Sequence, residues 1–199
     1  KPHLPFVAPK KYWDMYNRNS ISIHPEQDRD SSIPSIAFHN NHELVNNYSD
    51  IPLNGNITVD KQKELIHGYK ACVSYVDAQV GILLSKLDEL GLSSNTIVVL
   101  WGDHGWHLGE HNQWTKHTNY EIANRIPLII KAPNMQGNTQ VNELVEALDI
   151  YPTLSELAGL EIPIHLEGDS LVSLMSGEND ILEEPAISQY PRYSGRMGY

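Results

Sequence analysis

Cysteine is almost missing from this sequence: Cys72 is the single one in 199 residues. One thiol cannot close a bridge within the chain, so no disulfide framework supports the fold. Cationic side chains are scarce too, with 14 Lys and Arg against 25 Asp and Glu and a formal net charge of −11. That excludes the basic face that general nucleic-acid binding requires, although a local field can still receive a small anion. The longest candidate stretch, Ile126 to Ala132, falls far short of the ~20 apolar residues of a membrane-spanning helix. No secretory leader is visible, and the opening Lys1-Pro2-His3-Leu4-Pro5-Phe6 reads as the interior of a longer polypeptide.

What is present is ordered by periodicity. Residues 1–57 are dense in Pro, Asn, Ser and His and show little pattern. A stretch that long is expected to cover a functional site, with a short helix over 9–16. Residues 60–90 are the clearest element. Leu65, Tyr69, Cys72, Val73, Val76, Val80, Leu83, Leu84, Leu87 and Leu90 recur at spacings of three and four. They predict one apolar stripe on a long helix packed on a core, with Asp60 as N-cap and Gly91 as stop. Cys72 lies on that stripe and is expected to be a buried structural thiol. Strands are expected at 96–102 and 127–132, the first buried on both faces. Helices are expected over 152–159 and 169–176 and a strand over 186–190, with Asp149 as a cap or hydrogen-bond acceptor. Helix followed by buried strand is the repeating half of an α/β fold.

The densest chemistry follows the first of these strands. The apolar run stops at Gly102, and Asp103 and His104 come at once. In open α/β sheets ligands bind outside the carboxyl ends of strands. Trp106, His107, Glu110, His111 and Trp114 then lead to Lys116. So many imidazoles and indoles in one loop point to function rather than to a plain surface turn.

These residues resemble the sulfatases of the alkaline-phosphatase-like superfamily. The likeness runs through Tyr75-Val76-Asp77-Ala78-Gln79-Val80-Gly81, Asn95-Thr96-Ile97, Asp103-His104-Gly105 and Leu108-Gly109-Glu110-His111. It continues through Trp114-x-Lys116, Arg125-Ile126-Pro127-Leu128, Asp149-Ile150-Tyr151-Pro152-Thr153 and Leu157-Ala158-Gly159-Leu160. Within the family, Lys1 to Phe6 and Ser188-Gln189-Tyr190-Pro191-Arg192 are most similar to the iduronate-2-sulfatase branch.

The resemblance implies a three-layer α/β sandwich with a central mixed, mostly parallel sheet, incomplete in this chain. Residues 58–180 would belong to the catalytic domain, 1–57 would cover it, and 181–199 would begin a smaller C-terminal subdomain. It implies hydrolysis of sulfate monoesters of a sulfated sugar by a formylglycine made from the cysteine of a C-x-P-S/A-R motif, with one calcium ion on the sulfate. Asp103 and His104 match metal-site residues, Lys116 the sulfate-binding lysine, and His3 a histidine near the leaving group. His104 also fits as a hydrogen-bond partner of the sulfate or nucleophile, because imidazole is a poor calcium ligand. Trp106 would line the substrate pocket. Gln189 and Arg192 would sit at its rim, where Arg192 either grips a uronate carboxylate or is a solvated cation.

No C-x-P-S/A-R occurs in the sequence, and no early acidic pair matches the first half of the family's calcium site. Nucleophile and remaining ligands are therefore expected elsewhere in the same polypeptide, and the chain alone is expected to be inactive. A secreted, periplasmic or lysosomal setting follows from the resemblance only. Two other readings stay open: a two-zinc phosphomonoester or phosphonate hydrolase, to which Asp103, His104, His107 and His111 could lend ligands, and a non-catalytic binder of sulfated glycans.

Overall fold

The long periodic segment forms α3, Val59–Glu89, in a computed structural model that describes residues 2–52, 55–178, 185–191 and 197–198. Its cap is Thr58 rather than Asp60: Thr58 is extended and its hydroxyl accepts from the Lys61 amide at 3.4 Å. Asp60 is already helical, in the first turn, where its charge suits the helix dipole. Gly91 follows the helix with φ +69°, a left-handed stop that glycine takes without strain.

The apolar stripe of α3 divides in two. Leu65, Ile66, Ala71 and Cys72 are buried, and α1 (Lys10–Trp13) packs against the helix. Val73, Ile82, Leu83, Leu84 and Leu90 are exposed. The expectation of one continuous core-facing stripe is thus corrected. The periodicity marks an apolar face correctly, but the described residues cover only its first half.

The chain divides into two compact units. The first holds residues 1–90, 103–126 and 190–198. Its core gathers Leu4, Phe6, Ile21, Leu44, Ile51, Ile57, Leu65, Ile66, Cys72, Trp106 and Trp114. Six of those eleven come from the irregular stretch before α3, which is therefore structural filling as well as surface. Among the described residues its regular elements are α1, two 3-10 turns and α2, His42–Asn47.

The second unit holds residues 91–102 and 127–189. In it β1 (Val98–Trp101) pairs antiparallel with β4 (Leu128–Lys131), in register Val98↔Lys131 to Trp101↔Leu128. Neither strand is buried on both faces: Trp101 and Ile129 are 53% and 63% exposed. Two strands alone cannot enclose their own side chains, which is why the expected doubly buried strand is half open. Every strand pair among the described residues is antiparallel.

Asp149 organises the helical part of this unit. Its carboxylate accepts from the Glu146 amide at 2.7 Å and the Asp169 amide at 2.9 Å. Thr153 donates to its carbonyl at 2.5 Å and accepts from the Leu171 amide at 2.8 Å. These bonds join α5, Ile150–Leu157, to α6, Val172–Ser176. Residues 185–189 are irregular, and the strand expected over 186–190 is instead a short pair, β5 (Tyr190–Pro191) with β6 (Met197–Gly198).

Candidate active site

The loop after Asp103-His104 is fixed by backbone fit. A Cβ on Gly105 would lie 2.1 Å from the Ile122 carbonyl oxygen, so only glycine allows this approach. Gly105 and Trp106 donate to the carbonyls of Ala123 and Ile122 at 2.7 and 3.0 Å, tying the loop to α4, Glu121–Asn124. A hairpin follows. β2 (His107–Leu108) pairs with β3 (Trp114–Thr115), His107 opposite Thr115 and Leu108 opposite Trp114. Thr115 is fully buried with φ +77°, a costly conformation for a β-branched residue. It is the residue that aims Lys116.

A side chain that periodicity does not reveal locks this hairpin to the irregular segment. Asn41, itself left-handed at φ +55°, accepts from the Trp114 amide at 2.9 Å and donates to the Asn112 carbonyl at 3.0 Å. The His39 amide donates to the Gln113 side chain at 3.0 Å. Residues 39–41 thus act as an extra edge for the hairpin, and α2 starts directly after them. Glu43, in its first turn, is thereby carried to Lys116.

Glu43 is the hub. One carboxylate oxygen accepts from the Lys116 ammonium at 2.6 Å and lies 3.4 Å from His3 Nε2. The other accepts from His117 Nε2 at 2.8 Å, and Tyr190 donates to His117 Nδ1 at 2.7 Å. Lys116 Nζ also lies 3.2 Å from His3 Nε2 and 5.2 Å from the centre of the Trp106 ring. The Glu43 and Lys116 side chains are 15% and 18% exposed, and that of His3 is 48% exposed. Burial pushes the Glu43 carboxyl up, but the bonds and charges of Lys116 and His117 outweigh it and leave it below the usual carboxylate range. Burial lowers His117 against the pull of Glu43, favouring its neutral form. His3 Nδ1 sits 2.8 Å from the Leu4 carbonyl. A carbonyl only accepts, so Nδ1 carries a proton and Nε2 is the atom turned to the open side.

His3, Lys116 and Trp106 are therefore brought together, with the His3 and Trp106 ring centres 6.1 Å apart. Trp106 is buried, its ring packed against Phe6 and Tyr69, and it serves as a platform beneath the ammonium. His104 continues the row, its ring 5.9 Å from Trp106 and its Nε2 3.6 Å from the Asp103 carboxylate. The Asp103 side chain is 82% exposed. Gln189 is exposed in the second unit, and Arg192 lies outside the described residues.

One carboxylate and one imidazole can each fill a single position in a cation shell. Calcium takes six to eight oxygens, so this pair does not complete a site. No three of His, Cys, Asp and Glu among the described residues gather as metal ligands. His107 is wholly buried on Thr118, whose hydroxyl lies 2.7 Å from its Nε2, and burial together with His111 lowers its pKa to about 4. It is a neutral packing residue, and the four residues that suggested zinc do not form a cluster. An open groove of about 510 Å³ lined by Ala78, Gly81, Ile82, Ser85, Lys86 and Glu89 runs along α3 and contains none of the candidate residues.

Sequence reasoning missed Glu43 and His117. The available signals were faint: an acid beside Leu44 at the start of a six-residue helix, and a histidine directly after Lys116.

Residues 1–160 match the family model described as Sulfatase. A sulfatase from Formosa agariphila is 36% identical over 96% of this chain and 37% of its own length. The iduronate 2-sulfatase of Homo sapiens is 33% identical over 98% of the chain and 44% of its own length. The chain thus spans less than half of these relatives. Among solved structures, a phosphonate monoester hydrolase from Silicibacter pomeroyi superposes with a TM-score of 0.76 at 29% identity, covering 89% of this chain and 36% of that one. The likeness gives the chain the α/β class of these proteins, as the helix–strand order implied.

Proposed function

Since the chain belongs to the sulfatase family, we propose that it is the part of a sulfuric ester hydrolase that brings the sulfate-binding ammonium and the leaving-group acid to the reaction. The convergence of Lys116 Nζ and His3 Nε2, 3.2 Å apart on the Trp106 platform, carries this reading. An ammonium so placed stabilises charge that gathers on the sulfate oxygens as sulfur is attacked. As the sulfur–oxygen bond breaks, with Lys116 turned from His3 to the sulfate, His3 in its imidazolium form gives the Nε2 proton to the departing sugar oxygen. Glu43, 3.4 Å away, supports that cation.

The nucleophile implied by the family resemblance is a formylglycine from elsewhere in the polypeptide. A calcium ion would add charge stabilisation on the sulfate, with Asp103 giving one carboxylate beside His104 and the other ligands coming from outside this chain. The exposed apolar halves of α3 and of the β1–β4 pair fit a covering of further polypeptide. The substrate proposed is a glycosaminoglycan sugar of the 2-sulfo-iduronate kind, by likeness to the human relative. Gln189 and Arg192 are proposed at the pocket rim, and the compartment as secreted, periplasmic or lysosomal.

The test uses the intact polypeptide that carries this chain, incubated with an oligosaccharide bearing 2-sulfo-iduronate. Release of inorganic sulfate is expected. Binding without release points to a glycan-binding protein, and release only from phosphorus esters points to the hydrolase alternative; either result sinks the reading. The 199-residue chain alone should release no sulfate from an aryl sulfate.

A further inference from the structure

An anion-binding lysine is ordinarily left free to face its anion. Here its ammonium is already bonded to a carboxylate at 2.6 Å, and that carboxylate is itself held from its other oxygen by His117. The pair is only partly open to solvent, so the negative charge is not screened away as it would be on a free surface. Among the described residues the charges near the Lys116 ammonium are Glu43 and, when protonated, His3 and His117. With both imidazoles neutral, Lys116 and Glu43 cancel.

We propose that Glu43 is a specificity-determining residue whose carboxylate makes this site select esters carrying one negative charge over esters carrying two. The inference rests on the reading of Lys116 as the ester-binding cation. An ammonium has three N–H directions. Two acceptors on one ammonium, at ordinary hydrogen-bond lengths and tetrahedral angles, lie about 4.5 Å apart. An ester oxygen on Lys116 therefore sits about that far from Glu43. The lysine already answers Glu43, so each negative charge on the ester is repelled by the Glu43 carboxylate, and a second charge adds one further repulsion that, partly screened at that range, amounts to a factor of about ten or more in binding. Sulfate monoesters and phosphonate monoesters carry one charge at neutral pH, whereas phosphate monoesters approach two. The depressed Glu43 carboxyl keeps the residue ionised under those conditions. A cation completing the site would attract either ester with or without Glu43; the carboxylate's own contribution treats sulfate and phosphonate esters alike and weighs against phosphate.

The experiment compares three 4-nitrophenyl esters — sulfate, phenylphosphonate and phosphate — on the intact enzyme, wild type against E43Q and E43D. In E43Q, kcat/KM for phosphate should rise about tenfold or more relative to sulfate, while the phosphonate-to-sulfate ratio stays within about threefold. E43D, which keeps the charge, should retain the wild-type ratios even where absolute rates fall. The idea is overturned if all three esters change together in E43Q, or if phosphonate moves with phosphate against sulfate. Loss of sulfate turnover by the wild type with phosphonate turnover kept would refute the sulfatase reading alone, because phosphonate against phosphate still reads Glu43.

Discussion

The two ends of the candidate site are built to different degrees of completion. At the Glu43 end, Lys116, His117, His3 and Tyr190 hold one another through bonds of 2.6–3.4 Å. Beneath them lies a core of Trp106, Trp114 and Leu44. At the Asp103 end the carboxylate is 82% exposed and lies 3.6 Å from the imidazole of the adjacent His104. The difference teaches that the Glu43 end is held by its own network of bonds, whereas the Asp103 end is a single exposed carboxylate beside one imidazole.

The comparison breaks most readily at the core. Trp114→Ala removes a fully buried indole under the hairpin and should cost about 3–5 kcal/mol in urea unfolding of the 199-residue chain. A loss under about 1 kcal/mol would mean that the closed end is not held by packing.

Acid should act there next. His107 is neutral in the folded chain down to about pH 4, because burial and then His111 disfavour its charge. In the unfolded chain it takes up a proton near pH 6.5. Between those values the unfolded state binds more protons. Stability therefore rises with pH and is lost as pH falls from about 6.5 to about 4, by up to about 3 kcal/mol. His107→Asn should flatten that slope in pH-dependent thermal melts, and an unchanged slope would assign the acid sensitivity to other groups.

The smallest effect belongs to the open end. Asp103→Ala should change stability by less than about 0.5 kcal/mol. A larger loss would show that Asp103 has structural partners and that the two ends are alike.

Much of this was legible in the sequence, and the gaps have physical causes. Helix α3, the strands ending at Trp101 and Lys131, and the stops at Gly91 and Gly159 follow from periodicity and turn chemistry. The motifs around Asp103 and Lys116 singled out the loop that brings Lys116 beside Glu43 and His3. Burial was read less well, because an apolar stripe states which face wants cover and not what supplies it. The second half of α3 and Trp101 show the difference. Glu43 was illegible because its placement depends on Asn41, 73 residues from the Trp114 amide it holds. Side-chain bonds to distant backbone have no period, and a stretch held by them looks like plain loop.

Asn41 stands two residues before Glu43, at the point where the chain turns helical. Each residue of a helix rotates the next side chain by about 100°. A one-residue insertion after Asn41 would keep the clasp on the hairpin and swing the acid around the helix axis, away from the lysine. The segment around α2 is thus held to a fixed length between these two positions, a constraint on spacing that acts beside the packing of its buried Leu44.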